Sequence, residues 1–270
     1  MAVPSPIKAA DPPLIRHLPI EPGADALLDG FTAYATEAGI ELYAHQEEAV
    51  FELLLGNHVI LNTPTGSGKS LVATAAHYAA LAQGTRSFYT APIKALVSEK
   101  VFALTRDFGA EHVGMITGDA AVNPGAPIIC ATQEILANMA LRDGASTPVD
   151  DVVIDEFHFY ADPQRGWAWQ IPLLELADTQ FLLMSATIGP TGRFVHELER
   201  RTGRPSVEVT SDVRPVPLEH VYRETPLHES VAELLEDGKA PVYLVYFTQA
   251  DAMAAAQSFT SMSFLGPEDK

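Results

Sequence analysis

Asn62-Thr63-Pro64-Thr65-Gly66-Ser67-Gly68-Lys69-Ser70 lies between a short apolar run, His58-Val59-Ile60-Leu61, and a stretch rich in helix formers, Leu71 to Leu81. The run before it suits a buried strand, and the stretch after it suits a helix. A strand, a glycine-rich turn and a helix start in that order make a phosphate-binding loop. The glycines let the backbone curl so that several N–H groups face one anion, and the helix N-terminus adds unpaired donors and a partial positive charge. Lys69 is expected to reach the β- and γ-phosphates, and the Ser70 hydroxyl to hold Mg²⁺. The usual pattern has glycine six residues before the lysine, where this chain has Thr63. The bland alternative is a chance loop of small residues.

Composition bounds the rest. The chain has 270 residues, enough for one large or two modest domains, and its apolar fraction of 47% suffices for a core. Its 17 basic and 35 acidic residues leave a formal charge of −18. A chain this acidic does not bind nucleic acid through its bulk field, so any such contact must be local. The single cysteine, Cys130, sits in the apolar run Pro127 to Ala131 and reads as core; no intrachain disulfide is possible. There is no apolar run of about 18 residues, so no membrane span is expected. The proline-rich start lacks a signal-peptide core, which makes a cytoplasmic protein the expectation.

From residue 58 onward strands and helices alternate. Strands are expected over Val59–Asn62, Ser87–Ala91, His112–Ile116, Ile128–Ala131, Val152–Asp155 and Phe181–Ser185. Helices are expected near Lys69–Leu81, Lys94–Asp107, Gln133–Arg142, Trp167–Leu176 and Thr191–Arg201. Two amphipathic helices, Ala24–Ala38 and Glu41–Leu55, precede them. Several strands are apolar throughout, as strands covered on both faces are. The rhythm predicts an α/β fold, a mostly parallel sheet sandwiched by helices. Residues 1–22 read as a flexible tail and 23–210 as the main domain. Residues 211–225 read as a proline-broken linker, with Val207–Val209 as an edge strand before it. Residues 226–270 read as the start of a second domain, with a helix over His228–Glu236, a buried strand over Val242–Phe247 and a helix from Ala250.

Ligands of open parallel sheets bind beyond the carboxyl ends of strands. There the apolar run Val152-Val153-Ile154 ends in Asp155-Glu156-Phe157-His158. An acid pair at that place can divide two tasks, Asp155 holding the Mg²⁺ shell and Glu156 polarising a water. An acid pair alone is more often a solvated strand end; its company with the phosphate loop gives it weight.

Asp155-Glu156-Phe157-His158 resembles the DExH box of superfamily-two helicases, and other stations agree in order. Gln46 is placed like the glutamine that reads the adenine edge in that family, although a surface helix glutamine is the plain alternative. Thr90 to Leu96, Thr117-Gly118-Asp119 and Ala131 to Leu136 resemble three strand-contacting motifs, which implies nucleic-acid contacts at Pro92, Lys94, Thr117, Gly118, Thr132 and Glu134. Backbone amides and small hydroxyls there can hold phosphates without net positive charge. Ser185-Ala186-Thr187 resembles the motif that couples hydrolysis to strand movement, and His158 would relay to it.

Asp162-Pro163-Gln164-Arg165-Gly166-Trp167-Ala168-Trp169 is similar to the Asp…Arg-Gly…Trp signature of the superkiller and exosome-associated helicases. The segment from Arg214 to Tyr222 resembles their linker. The resemblance runs from about Gly39 to Phe259 and implies a RecA-like P-loop NTPase domain followed by a fragment of a second RecA-like domain. It implies ATP and Mg²⁺ as cofactors, with Thr63, Pro64, Thr65, Gly66, Ser67, Gly68, Lys69, Ser70 and Gln46 binding ATP. Ser70 and Asp155 would bind Mg²⁺, Glu156, Asp155, Lys69 and His158 would be catalytic, and Ser185 and Thr187 would couple. The implied partners are a single-stranded nucleic acid, RNA in preference to DNA, and the missing second motor domain or a full-length helicase; no membrane is implied. No Gln-x-x-Gly-Arg-x-Gly-Arg stretch is present, so the chain alone is expected to hydrolyse ATP weakly. Two alternatives stand beside a helicase motor: a nucleotide- and nucleic-acid-binding regulatory module without unwinding activity, and a DNA translocase subunit.

Overall fold

The computed structural model describes residues 12–214 and 217–260. Residues 1–11 and 261–270 of the expected terminal segments, and Pro215 and Val216 of the expected linker, lie outside the described residues. The chain divides into two compact units between residues 216 and 217.

In the first unit the strands are β1 (His58–Asn62), β2 (Ser87–Ala91), β3 (Val113–Ile116), β4 (Ala121–Val122), β5 (Ile128–Thr132), β6 (Asp151–Ile154), β7 (Gln180–Ser185) and β8 (Ser206–Thr210). They form one sheet in the order β4-β3-β5-β2-β6-β7-β1-β8. Every pairing is parallel except that of β4 with β3. β4, which the apolar pattern does not announce, is two exposed residues closing a hairpin. The helices are α1 (Ala24–Glu37), α2 (Ala44–Leu54), α3 (Lys69–Gln83), α4 (Lys94–Phe108), α5 (Gln133–Asp143), α6 (Trp167–Glu175) and α7 (Gly192–Thr202).

The period-two rule for strands sorts the core into two layers. Val59, Leu61, Tyr89, Cys130, Val153, Leu182 and Met184 face one side, where α1 to α4 cover them. Ile60, Phe88, Ile129, Val152, Ile154, Phe181 and Leu183 face the other, under α5, α6 and α7. Both faces are therefore dry, which is why these strands read as unbroken apolar runs. Cys130 is fully buried, and burial pushes its thiol up to about 12. Among the described residues no helix is long and apolar enough to cross a membrane.

Two expectations need correction. The flexible tail is fastened from Leu14 onward. Leu14 is fully buried and its N–H donates to the Asp107 carbonyl at 3.1 Å, while the Tyr78 hydroxyl donates to the His17 carbonyl at 2.5 Å. Leu14 follows a Pro-Pro pair with no period to announce it, yet it joins the core cluster under α1 to α4.

The second error lies in the second unit, which holds α8 (Leu227–Glu236) and α9 (Gln249–Phe259). Val242–Phe247 is not a strand there, and Tyr243, Val245 and Phe247 are 90%, 78% and 102% exposed. A strand needs a neighbouring ladder; residues 217–260 hold no other strand to pair with, although Val242, Leu244 and Tyr246 are half-buried.

Candidate functional site

Because the pairings are parallel, the carboxyl ends of β1, β7, β6, β2, β5 and β3 share one rim. The turn after β1 is the phosphate loop. Gly66 and Gly68 have φ of +85° and +78°, which only glycine adopts without strain. The N–H groups of Gly66, Gly68, Lys69 and Ser70 have no acceptor among the described residues, so the start of α3 presents a nest of free donors. Lys69 Nζ donates to the carbonyls of Thr63 (2.8 Å) and Pro64 (3.1 Å) across the loop. Burial lowers the Lys69 pKa, and Asp155 and Glu156 oppose that.

Thr63, the departure from the usual glycine, is buried, and its hydroxyl shares a 2.7 Å hydrogen bond with that of Ser67. The side chain thus ties the two limbs of the loop together. Gln46 closes the loop from behind. Its Nε2 donates to the Gly68 carbonyl at 2.9 Å, and its Oε1 accepts the Tyr43 N–H at 2.8 Å. The amide expected to read an adenine edge is therefore engaged by the chain at both ends. Beside it Tyr43 and His45 stack with centroids 5.6 Å apart, and His45 Nε2 lies 2.9 Å from the Ser67 carbonyl. Tyr43 and His45, with Ala44, Glu48, Thr210 and Val213, line an open groove of about 300 Å³.

Asp155 follows β6 directly; its N–H still donates to the Thr90 carbonyl at 2.9 Å. One carboxylate oxygen accepts the Glu156 N–H at 2.9 Å and the other accepts the Tyr89 hydroxyl. Tyr89 is buried, and burial with the nearby Asp155 charge raises its pKa well above the usual phenol value. Glu156 takes left-handed backbone angles (φ 49°, ψ 48°). For a non-glycine residue that costs roughly 1–2 kcal/mol, and it turns the chain sharply out of the strand at the acid pair. His158 Nδ1 lies 3.3 Å from both Glu156 Oε2 and Ser185 Oγ, so it spans from the acid to the end of β7. Ser185 is fully buried and accepts the Thr187 N–H at 3.2 Å, whereas Thr187 itself is exposed.

Lys100, on α4, is a side chain that sequence reasoning passed over. Its Nζ donates to Ser70 Oγ at 3.1 Å and lies 4.8 Å above the Tyr89 ring. Burial lowers its pKa, and the Asp155 charge is the largest opposing influence. Ser70 and Asp155, expected to share a metal, are thus joined through Lys100 and Tyr89. Nothing local in the sequence marks either residue; only the sheet order brings them to this place. The donor set fits Mg²⁺, with a hydroxyl and a carboxylate as hard oxygen ligands.

The expected nucleic-acid residues occupy the other half of the rim, after β2, β3 and β5. Lys94 pairs with Asp119 at 2.5 Å, and Thr117 Oγ1 donates to the same carboxylate at 2.9 Å. These bonds lower the Asp119 pKa, the one from Lys94 most. Gly118 is exposed and open. Thr132 sits at the N-cap of α5 without a capping bond, and Glu134 in its first turn pairs with Arg165 at 2.6 Å. Pro92 is buried, and its carbonyl accepts from Arg165 at 2.5 Å.

Residues 43–193 match the family described as DEAD/DEAH box helicase. The chain is 39% identical over 199 residues to the probable helicase HelY of Mycobacterium tuberculosis, covering 73% of this chain and 22% of that protein. It is 36% identical over 182 residues to the antiviral helicase SKI2 of Saccharomyces cerevisiae, covering 66% and 14%. The chain thus spans about a fifth or less of the length of these curated relatives. Among solved structures, the DUF1998 helicase MrfA matches with a TM-score of 0.63 at 22% identity, over 86% of this chain and 40% of its own; that likeness bears on fold alone.

Proposed function

The chain belongs to the DEAD/DEAH box helicase family, and from its site we propose that it is the ATP-binding lobe of a helicase of the superkiller type, acting along single-stranded RNA. One observation carries the proposal. The nest of free N–H donors and the acid pair open onto the same rim, close enough that the charges of Asp155 and Glu156 oppose the lowering of the Lys69 pKa by burial.

The roles follow from that arrangement. Backbone N–H groups from Gly66 to Ser70 hold the phosphate oxygens, and Lys69 neutralises charge that grows on them. Ser70 and Asp155 would hold Mg²⁺, which would supply Lewis-acid neutralisation of the phosphate charge. The Glu156 carboxylate accepts a proton from the attacking water, and His158 links that acid to Ser185. The groove beside the exposed Tyr43–His45 stack takes the adenine ring by stacking. Phosphates of the strand lie against the loops after β2, β3 and β5, with Thr132 and the start of α5 as donors. Contacts through backbone and hydroxyl donors suit a chain of −18 charge. RNA is proposed over DNA from the superkiller resemblance. A cytoplasmic setting goes with it, in keeping with a single buried, unpaired cysteine.

Calorimetric titration of ATP with Mg²⁺ tests the nucleotide half. Binding is expected in the wild-type chain and a loss of at least tenfold in Lys69→Ala; no heat in the wild type would refute the proposal. ATP turnover with RNA or DNA added at one fixed salt concentration tests the strand. Stimulation by DNA alone would favour the translocase reading. Binding of both ligands without any stimulation would favour a regulatory module.

A further inference from the structure

The geometry points to Arg165 as a positioning residue that couples the acid-pair loop to the nucleic-acid rim; the inference rests on the functional reading above. The loop from residue 162 to 166 is built to deliver this guanidinium. Asp162 Oδ1 accepts the N–H groups of Gln164 (2.8 Å) and Arg165 (2.7 Å), and the Asp162 carbonyl accepts that of Gly166 (2.9 Å). A Cβ on Gly166 would come within 2.4 Å of the Tyr160 carbonyl and 2.6 Å of the Asp162 carbonyl, so the turn admits only glycine.

Arg165 then reaches two different stations at once. Its Nη2 donates to the Pro92 carbonyl after β2 (2.5 Å) and to Glu134 Oε1 on α5 (2.6 Å); its Nε adds a second bond to Glu134 at 3.0 Å. On its other side the guanidinium lies 5.7 Å from the Phe159 and Trp169 ring centroids, and those rings stack on each other at 5.3 Å. The His158 and Phe159 ring centroids are 4.9 Å apart, and His158 meets Glu156 and Ser185. Contact is therefore continuous from the water-activating acid to the loops that would hold the strand. A shift of the Glu156–Phe159 turn must drag the guanidinium, and with it Pro92 and Glu134.

The pair has a second consequence. Glu134 stands in the first turn of α5, where a phosphate would approach. A free carboxylate there would repel the strand, and Arg165 neutralises it. Lysine cannot take over, because one ammonium lacks the planar fork that serves a carboxylate, a carbonyl and two ring faces together.

The test measures affinity of the 270-residue chain for fluorescein-labelled oligouridine by anisotropy, with and without a non-hydrolysable ATP analogue and Mg²⁺. In the wild type the analogue is expected to change the Kd by roughly 5- to 150-fold, the usual span of coupling between sites. Arg165→Lys should bring that factor close to one while the analogue itself still binds within about twofold, a split that general destabilisation would not produce. Glu134→Gln, which keeps the side-chain shape and frees the arginine from one partner, should lower the factor part of the way; it serves if the lysine variant does not fold. A factor unchanged in either folded variant overturns the proposal. So does a wild-type chain that binds the oligonucleotide with no response to the analogue, although the functional reading survives that result. Absence of any oligonucleotide binding in the wild type defeats the functional reading, and the coupling falls with it.

Discussion

Gly68→Ala is a sharp perturbation of the phosphate loop. Gly68 has φ +78°, and its added Cβ would lie 2.2 Å from Gln46 Nε2. Left-handed backbone costs alanine roughly 1 kcal/mol relative to glycine. The clash is with the end of a side chain, so the Gln46 amide can swing away, but it then gives up its bonds to the Gly68 carbonyl (2.9 Å) and the Tyr43 N–H (2.8 Å). Gln46 is only 3% exposed, so each lost bond is worth about 1 kcal/mol. The expected loss is roughly 3 kcal/mol. Gly66→Ala is the matched control: φ is +85° and nothing lies within 4 Å of its Cβ, so only the backbone strain of roughly 1 kcal/mol is expected. Urea denaturation of both variants, of Gln46→Ala and of Gln46→Ala/Gly68→Ala would measure this. Removing Gln46 first should make the glycine substitution cheaper by roughly 2 kcal/mol. Equal losses at residues 66 and 68, or additive losses in the cycle, would refute the claim that Gln46 holds this loop.

Other outcomes follow from the same contacts. Glu156→Gln should abolish ATP turnover yet leave nucleotide affinity within a few-fold, since it removes the proton acceptor and keeps the volume; retained turnover in a steady-state assay counts against the role. Tyr89→Phe removes the hydroxyl donated to Asp155 and should destabilise the fold by roughly 1–3 kcal/mol, read as a fall in urea midpoint. Acid should weaken the protein. Burial presses the His77 and His58 pKa values down to about 3 and about 4, so both stay neutral in the fold while the unfolded chain protonates near pH 6.5. Their contribution is intact above that pH and falls away below it, down to about 4 for His58 and about 3 for His77, by about 2 kcal/mol each at pH 5. Burial pushes Asp151 up to about 6, which works the other way, because protonation below pH 6 relieves the buried charge. Two groups against one predict a lower urea midpoint at pH 5 than at pH 7; a flat profile would contradict the burial argument.

What was legible in the sequence was whatever leaves a local trace. β2 needed only Ser87-Phe88-Tyr89-Thr90-Ala91 to be placed, and α3 needed only the glycine turn before it. The acid pair could be assigned to a strand end because Val152 to Ile154 is apolar without a break. Long-range packing left no such trace. Leu14 is buried in the core cluster, its N–H held by the Asp107 carbonyl of α4, far from it in the chain. Lys100 is an ordinary helix lysine until the sheet order puts it over Tyr89 and against Ser70. Val242–Phe247 erred in the opposite direction: its apolar composition is that of a strand, but composition cannot provide the neighbour that a strand must bond to. Lys94 was correctly placed after β2, yet its pairing with Asp119 depends on the β3–β4 hairpin, whose second strand is two residues long.

The sheet order also explains why the signature residues cluster where they do. The strands β6, β7 and β1 are neighbours and end in the acid pair, Ser185 and the phosphate loop; β3, β5 and β2 are neighbours and end in the expected strand contacts. Nucleotide and nucleic acid would thus be served by opposite halves of one rim, and the seam between the halves is the β2–β6 pairing. Two of the bonds that cross that seam are the hydroxyl of Tyr89 on Asp155 and the guanidinium of Arg165 on the Pro92 carbonyl. The backbone ladder at the seam is rigid, with Thr90 opposite Ile154, so adjustment between the halves has to occur beyond the strand ends. Arg165 sits there on a short turn, between half-buried Glu134 on one side and half-buried Phe159 on the other. A rigid sheet with a hinged bond at its midline can pass a small change at the acid pair to the strand loops without unpacking the core, and that is the physical reason to place the coupling at this arginine and not within the sheet.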